Sequence, residues 1–340
     1  MQKFIPSVGL MVGLLALASQ VSASTITQDA LLVGNAAAAW DGRKADTFSN
    51  AMVTAYSLED LSELLSFEAY PKKVGAQVAT GDVDGDGVED IVTLPWRERL
   101  SPAIKVFDLN GELIDADIVP KYQGDRLKQY HLAVGDLDGD DQAEIVLSNA
   151  TGNKLTLDVF AFTAGDLHRT DHYELDQPDS YQRGSWVEVA DVDEDGTAEI
   201  VTTPMIGETV LDVFSLENDQ LVSELTYTVD NGGRPDKGLH IAAKDGAILA
   251  DEHVEGHLHL LVWTGAMFEE GPLDSITGDS TIGDIGDIAW LTSGTYAYSL
   301  FNSKKVQYHD YSAAGNDSSE VDTELSTRSK GAFVDFLQVD

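Results

Sequence analysis

The stretch Gln77-Val-Ala-Thr-Gly-Asp-Val-Asp-Gly-Asp-Gly-Val-Glu-Asp-Ile-Val-Thr-Leu94 decides the fold, because it recurs. HLAVGDLDGDDQAEIVLS (131–148) and WVEVADVDEDGTAEIVTT (186–203) align with it without a gap. Their first aspartates, Asp82, Asp136 and Asp191, stand 54 and 55 residues apart. Each copy holds two β-rich runs around an acidic turn. A second half follows each copy: AIKVFDLNGELIDADIV (103–119), LTLDVFAFTAGDLHRTDHYEL (155–175) and VLDVFSLENDQLVSELTYTV (210–229). These reverse at Asn110-Gly111, Ala164-Gly165-Asp166 and Glu217-Asn218-Asp219, which are hairpin-turn residues. Four short strands in about 50 residues, repeated at a fixed period, describe a propeller blade.

Weaker copies extend the array. MVTAYSLEDLSELLSF (52–67) matches the second half of a blade. LHIAAKDGAILADEHVEGHLHLLVWTG (239–265) follows the template with its acidic loop shortened away, and another copy begins near Ser280. The best-defined blades are 72–121, 126–176 and 180–231, and the degenerate ones are 24–71, 237–274 and 279–340. The expected fold is all-β, a propeller of about six blades (five to seven), forming a single domain over 24–340. The terminal GAFVDFLQVD (331–340) is expected to close the ring against the N-terminal blade.

The acidic turns place carboxylates at positions 1, 3, 5 and 9. The sets are Asp82, Asp84, Asp86 and Asp90; Asp136, Asp138, Asp140 and Glu144; and Asp191, Asp193, Asp195 and Glu199. The position-7 carbonyls of Val88, Gln142 and Thr197 are expected to face the same point. Gly87 and Gly196 supply the sharp turn at position 6, where the second loop has Asp141, a residue tolerant of the left-handed region. Four carboxylates at one point repel without a cation, and an all-oxygen set of adaptable geometry suits calcium over magnesium or zinc. Two to three calcium ions are expected. An EF-hand is excluded, since position 12 is Thr93, Leu147 or Thr202 and the flanks are β-branched.

The core at 78–92, 132–146 and 187–201 resembles the FG-GAP / VCBS repeats of calcium-binding β-propellers, the family of the integrin α-subunit head. The Phe-Gly-Gly-Ala-Pro string is absent. The resemblance implies a propeller, structural calcium in the loops between first and second strands, and ligand binding on the opposite face.

Composition bounds the function. Fifty-nine acidic residues against 21 basic ones give a net charge of −38, which opposes binding to nucleic acid. The absence of cysteine excludes a lipoprotein anchor and disulfides. Lys3, the apolar run Val8–Leu17 and Val21-Ser22-Ala23 read as a signal peptide over 1–23, so the chain is expected to be exported, to the periplasm, cell surface or medium. No stretch is long and apolar enough for a membrane span.

Propeller topology puts the strand 2–3 and strand 4–1 loops on the face opposite the acidic turns. Those loops hold 11 of the 21 basic residues, with aromatics among them. Trp96, Arg97, Arg99, Tyr122, Arg126, Trp186 and Arg234 are therefore candidates for a ligand face, taking a glycan or a protein. His131 and His240 fall at equivalent positions near the axis, and with Tyr181 and Arg183 they form the candidate set for a lyase-like site. His257 and His259 read as polar positions on one face of a half-exposed strand, with His253 in the preceding loop; a transition-metal site is the alternative reading, but no acid or cysteine completes a recognised spacing. The leading expectation is a ligand-binding or adhesion module. The alternatives are a polysaccharide-active, lyase-like enzyme and a structural envelope protein.

Overall fold

The computed structural model describes residues 25–35, 50–96, 102–119, 129–150, 154–175, 184–218, 220–230, 238–252, 257–271, 285–292, 295–300, 305–310, 317–322 and 332–339. Residues 1–23, expected to be a signal peptide, lie outside them, as do Arg97, Arg99, Tyr122, Arg126, Tyr181, Arg183, Arg234 and His253.

Six four-stranded antiparallel sheets form the six blades of a β-propeller. The first blade joins β1 (Ala30–Asn35), β2 (Ala51–Ser57) and β3 (Glu63–Tyr70) to the last strand of the chain, β24 (Ala332–Leu337). The second holds β4 (Ala76–Gly81), β5 (Asp90–Pro95), β6 (Ala103–Phe107) and β7 (Leu113–Ile118). The third holds β8 (Tyr130–Gly135), β9 (Glu144–Asn149), β10 (Leu155–Thr163) and β11 (Asp166–Leu175). The fourth holds β12 (Ser185–Ala190), β13 (Glu199–Pro204), β14 (Val210–Glu217) and β15 (Gln220–Thr228). The fifth holds β16 (Leu239–Lys244), β17 (Ala247–Glu252), β18 (His257–Trp263) and β19 (Phe268–Glu270). The sixth holds β20 (Ile285–Thr292), β21 (Thr295–Leu300), β22 (Lys305–Asp310) and β23 (Asp317–Asp322).

The C-terminal segment does close the ring: β24 is the innermost strand of the first blade and pairs with β1 from Ala30↔Leu337 to Asn35↔Ala332. The degenerate segments at the two ends of the chain therefore share one blade. Inner strands touch in the cycle β24, β4, β8, β12, β16, β20 and back to β24.

Packing follows the same cycle. Six buried apolar clusters each fill one interface between neighbouring blades. The glycine before each of the first two acidic turns belongs to this packing. A Cβ on Gly81 would lie 2.6 Å from Val134 Cγ1 of the next blade, and one on Gly135 would lie 2.5 Å from Val189 Cγ1. In the third repeat Ala190 takes that position, where the next blade presents the smaller Ala243.

Candidate functional site

The three acidic turns are built alike. The position-1 carboxylate turns inward and accepts backbone N–H bonds from its own loop. Asp82 accepts from Gly85, Asp86 and Gly87; Asp136 from Gly139, Asp140 and Asp141; Asp191 from Asp195 and Gly196. The position-6 residues are all left-handed, at φ 86° for Gly87, 68° for Asp141 and 98° for Gly196. Asp141 thus fills the glycine place without changing the loop.

The position-9 carboxylates, each the first residue of the second strand, staple that strand to the start of the turn: Asp90 accepts from Val83, Glu144 from Leu137 and Glu199 from Val192. In the third loop Asp191, Asp193, Asp195 and Glu199 bring oxygens within 4.8 Å of one another. The first loop gathers Asp82, Asp84 and Asp86 in this way, and the second gathers Asp136, Asp138 and Glu144. Burial, aided by neighbouring carboxylates, pushes Asp90 and Glu144 up to about 7 and Glu199 up to about 8. Burial also raises Asp84, Asp138 and Asp193. Asp193 Oδ1 is buried with no hydrogen-bond partner. Crowded, partly desolvated carboxylates with an orphaned oxygen are a donor set that fits a hard divalent cation. At position 7 the Val88 side chain is exposed and the Gln142 amide donates to the Val83 and Phe162 carbonyls, so the part expected of these residues rests on their backbone carbonyls.

The turns also join blade to blade. The Ala143 N–H donates to the Asp82 carbonyl at 2.7 Å and the Ala198 N–H to the Asp136 carbonyl at 2.8 Å. In the fifth blade, where the acidic loop is reduced to Asp245-Gly246, the Gly246 N–H still donates to the Asp191 carbonyl at 3.0 Å. Gly246 has φ 71°, and a Cβ there would meet Glu194 Oε1 at 2.7 Å, so this short turn requires glycine.

The acidic turns surround the mouth of a cavity of about 460 Å³ on the propeller axis. Its floor is a belt of second-position residues from successive inner strands. The tilted rings of His131 and Trp186 lie 3.6 Å apart between centroids, those of Trp186 and His240 3.8 Å, and His240 Nε2 lies 3.6 Å from Asp287 Oδ1. Trp96 packs between His131 and Phe333, 5.3 Å from each. This corrects two expectations. Trp96 and Trp186 are each only 5% exposed, so neither is displayed on a far-side ligand face. His131 and His240 reach the axis as expected, but buried in the aromatic belt. Second-position side chains converge where the ring is narrowest, and that convergence buries them. His259 is also buried, beside Glu270 at 3.4 Å, rather than half-exposed.

Above the floor stand three carboxylates that the sequence reading missed, Glu188, Asp287 and Asp335, from three different inner strands. Burial pushes Asp287 up to about 8, although the Val334 and Ile288 N–H groups act against it and the Asp335 charge adds to it. Burial pushes Asp335 up to about 7, opposed by bonds from Phe336 and Thr80 and by the Lys244 ammonium. Glu188 is raised well above the usual carboxylate range by burial and then by Asp335 and Asp287. One signal for Glu188 was in the repeat: it stands where the first two copies have Ala79 and Ala133. The cavity is therefore an open-mouthed chamber in which two carboxyl groups, Asp287 and Asp335, change protonation near neutral pH, a combination found at sites of proton transfer.

No protein-family model matches the chain, and no curated protein matches it. Solved structures share its fold. The periplasmic gluconolactonase of Pseudomonas aeruginosa superposes with a TM-score of 0.54 at 12% identity, covering 92% of this chain and 100% of that one. A protein from Lactobacillus plantarum gives 0.52 at 14% identity, covering 87% and 82%. A putative 6-phosphogluconolactonase from Bacteroides uniformis gives 0.51 at 10% identity, covering 92% and 100%. At these identities the likeness is one of fold.

Proposed function

We propose that this protein is an exported, calcium-stabilised propeller of the FG-GAP / VCBS type that hydrolyses a small, uncharged, hydroxyl-rich lactone in its axial cavity. The observation that carries the reading is the meeting of Glu188, Asp287 and Asp335 inside a chamber of about 460 Å³, a size suited to a small ligand. Asp335, at about 7, ionises before Asp287, at about 8, and burial raises Glu188 as well. That supplies a base and an acid in one site.

Asp335 takes a proton from water as the water oxygen bonds to the lactone carbonyl carbon. The ring C–O bond then breaks, and Asp287 or Glu188 gives its proton to the departing ring oxygen. The product is a hydroxy acid, and a proton passing from Asp335 to the donor resets the site. Two of the fold neighbours are a gluconolactonase and a putative 6-phosphogluconolactonase, which supports a lactone as the substrate to test. A phosphorylated lactone fits poorly, because each acidic turn keeps four carboxylates against one divalent ion, and Glu89, Asp141 and Asp245 add to them around the cavity.

Calcium would be held by the carboxylates of the three turns, with the Val88, Gln142 and Thr197 carbonyls completing the sets. It supplies stability rather than chemistry in this reading. The far-side glycan or protein module loses support because Trp96 and Trp186 are internal.

The test is ring opening of glucono-1,5-lactone, followed by proton release at pH 7.5 in millimolar calcium. Wild type is expected to exceed the spontaneous rate, and Asp335→Asn to lose roughly 100-fold or more in kcat. Absence of any acceleration by the wild-type protein sinks the proposal.

A further inference from the structure

Among the described residues that line the cavity, Lys244 is the one lysine or arginine, against nine carboxylates. It ends β16, at the position where β4, β8 and β12 have Gly81, Gly135 and Ala190. The neck of the cavity is thus open on the second, third and fourth blades and carries a cation on the fifth. Two residues along a strand from the level of Glu188 amount to roughly 7 Å, so Lys244 stands one layer nearer the mouth than the carboxylates. Its Nζ crosses the sixth blade, donating to the Leu291 carbonyl at 3.2 Å and lying 5.2 Å from the centroid of the Phe336 ring. Those contacts aim the ammonium at the strand that carries Asp335, whose carboxyl it holds down. An ammonium has three N–H donors. The Leu291 carbonyl takes one, and the others remain for a ligand oxygen.

From this geometry we infer that Lys244 is the oxyanion and carboxylate anchor of the axial site. The inference rests on the lactone reading. In the step described above, the carbonyl π pair moves onto oxygen as water adds, and Lys244 donates an N–H bond to that developing charge. When the ring C–O bond breaks the same oxygen becomes part of the product carboxylate, which Lys244 still holds. The ligand class follows: one carbonyl or carboxylate group directed at the neck, and hydroxyl groups directed inward at Glu188, Asp287 and Asp335. Multiply anionic ligands are rejected by the carboxylates, because Lys244 is the one side-chain cation among the described lining residues and each calcium ion in the turns is outnumbered by its own four carboxylates.

Three variants separate charge from support. Lys244→Gln keeps a donor for the Leu291 carbonyl and loses the charge. Lys244→Met loses both, and Lys244→Arg keeps both. Each is measured for kcat and KM on glucono-1,5-lactone, and for gluconate affinity by intrinsic tryptophan fluorescence, since Trp186 forms part of the cavity floor. The expected result is a roughly 100-fold loss of kcat in Lys244→Gln and Lys244→Met with a smaller change in KM, and partial recovery in Lys244→Arg. Gluconate affinity is expected to fall about tenfold in the two neutral variants. The inference is overturned if Lys244→Gln turns over lactone and binds gluconate like wild type while Asp335→Asn is inactive; that pattern leaves the lactone reading standing. A wild-type protein that neither opens the lactone nor binds gluconate overturns both.

Discussion

Replacing Asp287 by asparagine should flatten the dependence of stability on pH. Asp287 rises from an ordinary value of 3.8 to about 8 in the folded protein, with burial as the main cause. Between those values the folded state holds a proton that the unfolded chain has released. Stability from this group is therefore fully present below about pH 4 and is lost as pH climbs toward 8. One such proton is worth about 1.4 kcal/mol per pH unit, so the group costs about 3 kcal/mol between pH 5 and 7. The charged or titratable groups around it are His240 at 3.6 Å, Glu188 and Asp335, with Lys244 acting on Asp335. Asparagine keeps an oxygen to accept the Val334 N–H, which now donates to Asp287 at 2.9 Å. The variant should lose about 3 kcal/mol less than wild type over that window and be the more stable protein above pH 8. Urea denaturation from pH 5 to 9, in saturating calcium so that the acidic turns stay loaded, reads this directly. Parallel pH curves for wild type and Asp287→Asn refute the claim that this carboxyl is buried and protonated.

Three further outcomes follow from the geometry. Chelation should lower the melting midpoint, since each loop filled at 100 times its dissociation constant adds about 2.7 kcal/mol; Asp193→Ala should remove more of the calcium effect than Asp138→Ala, because the third loop gathers four carboxylates and the second gathers three. Gly135→Ala should cost about 1–3 kcal/mol in denaturant unfolding, as its Cβ would sit 2.5 Å from Val189 Cγ1. His131→Ala should weaken folding by opening the aromatic belt yet leave measurable lactone opening, whereas Asp335→Asn should not; equal losses of turnover would return His131 to the chemistry.

The blades were legible because Asp82, Asp136 and Asp191 recur at one period and because β-branched runs flank each turn. The closing strand was legible for the same reason, as an unpaired copy left at the end of the chain. The site was hidden by what periodicity does not record. Glu188 broke the alanine pattern of its layer, but Asp287 lies in a strand with a register shift between Ile285 and Asp287, which blurs any alignment. Asp335 belongs to a blade begun at the other end of the sequence. Trp96 and Trp186 read as surface aromatics because arginines lie near them in sequence, yet strand position sends Trp186 to the axis, and Trp96, just beyond β5, folds in between His131 and Phe333. The spacing of the acidic turns points to calcium loops between first and second strands, but not to the Ala143, Ala198 and Gly246 bonds that make the turns joints between blades as well.

The most direct measurement is a crystal structure of the calcium-loaded protein soaked with gluconate. The account predicts ligand density inside the axial cavity, with the carboxylate at Lys244 and hydroxyl groups at Glu188, Asp287 and Asp335, and cations in the acidic turns. An empty cavity with gluconate seated elsewhere on the molecule would contradict it.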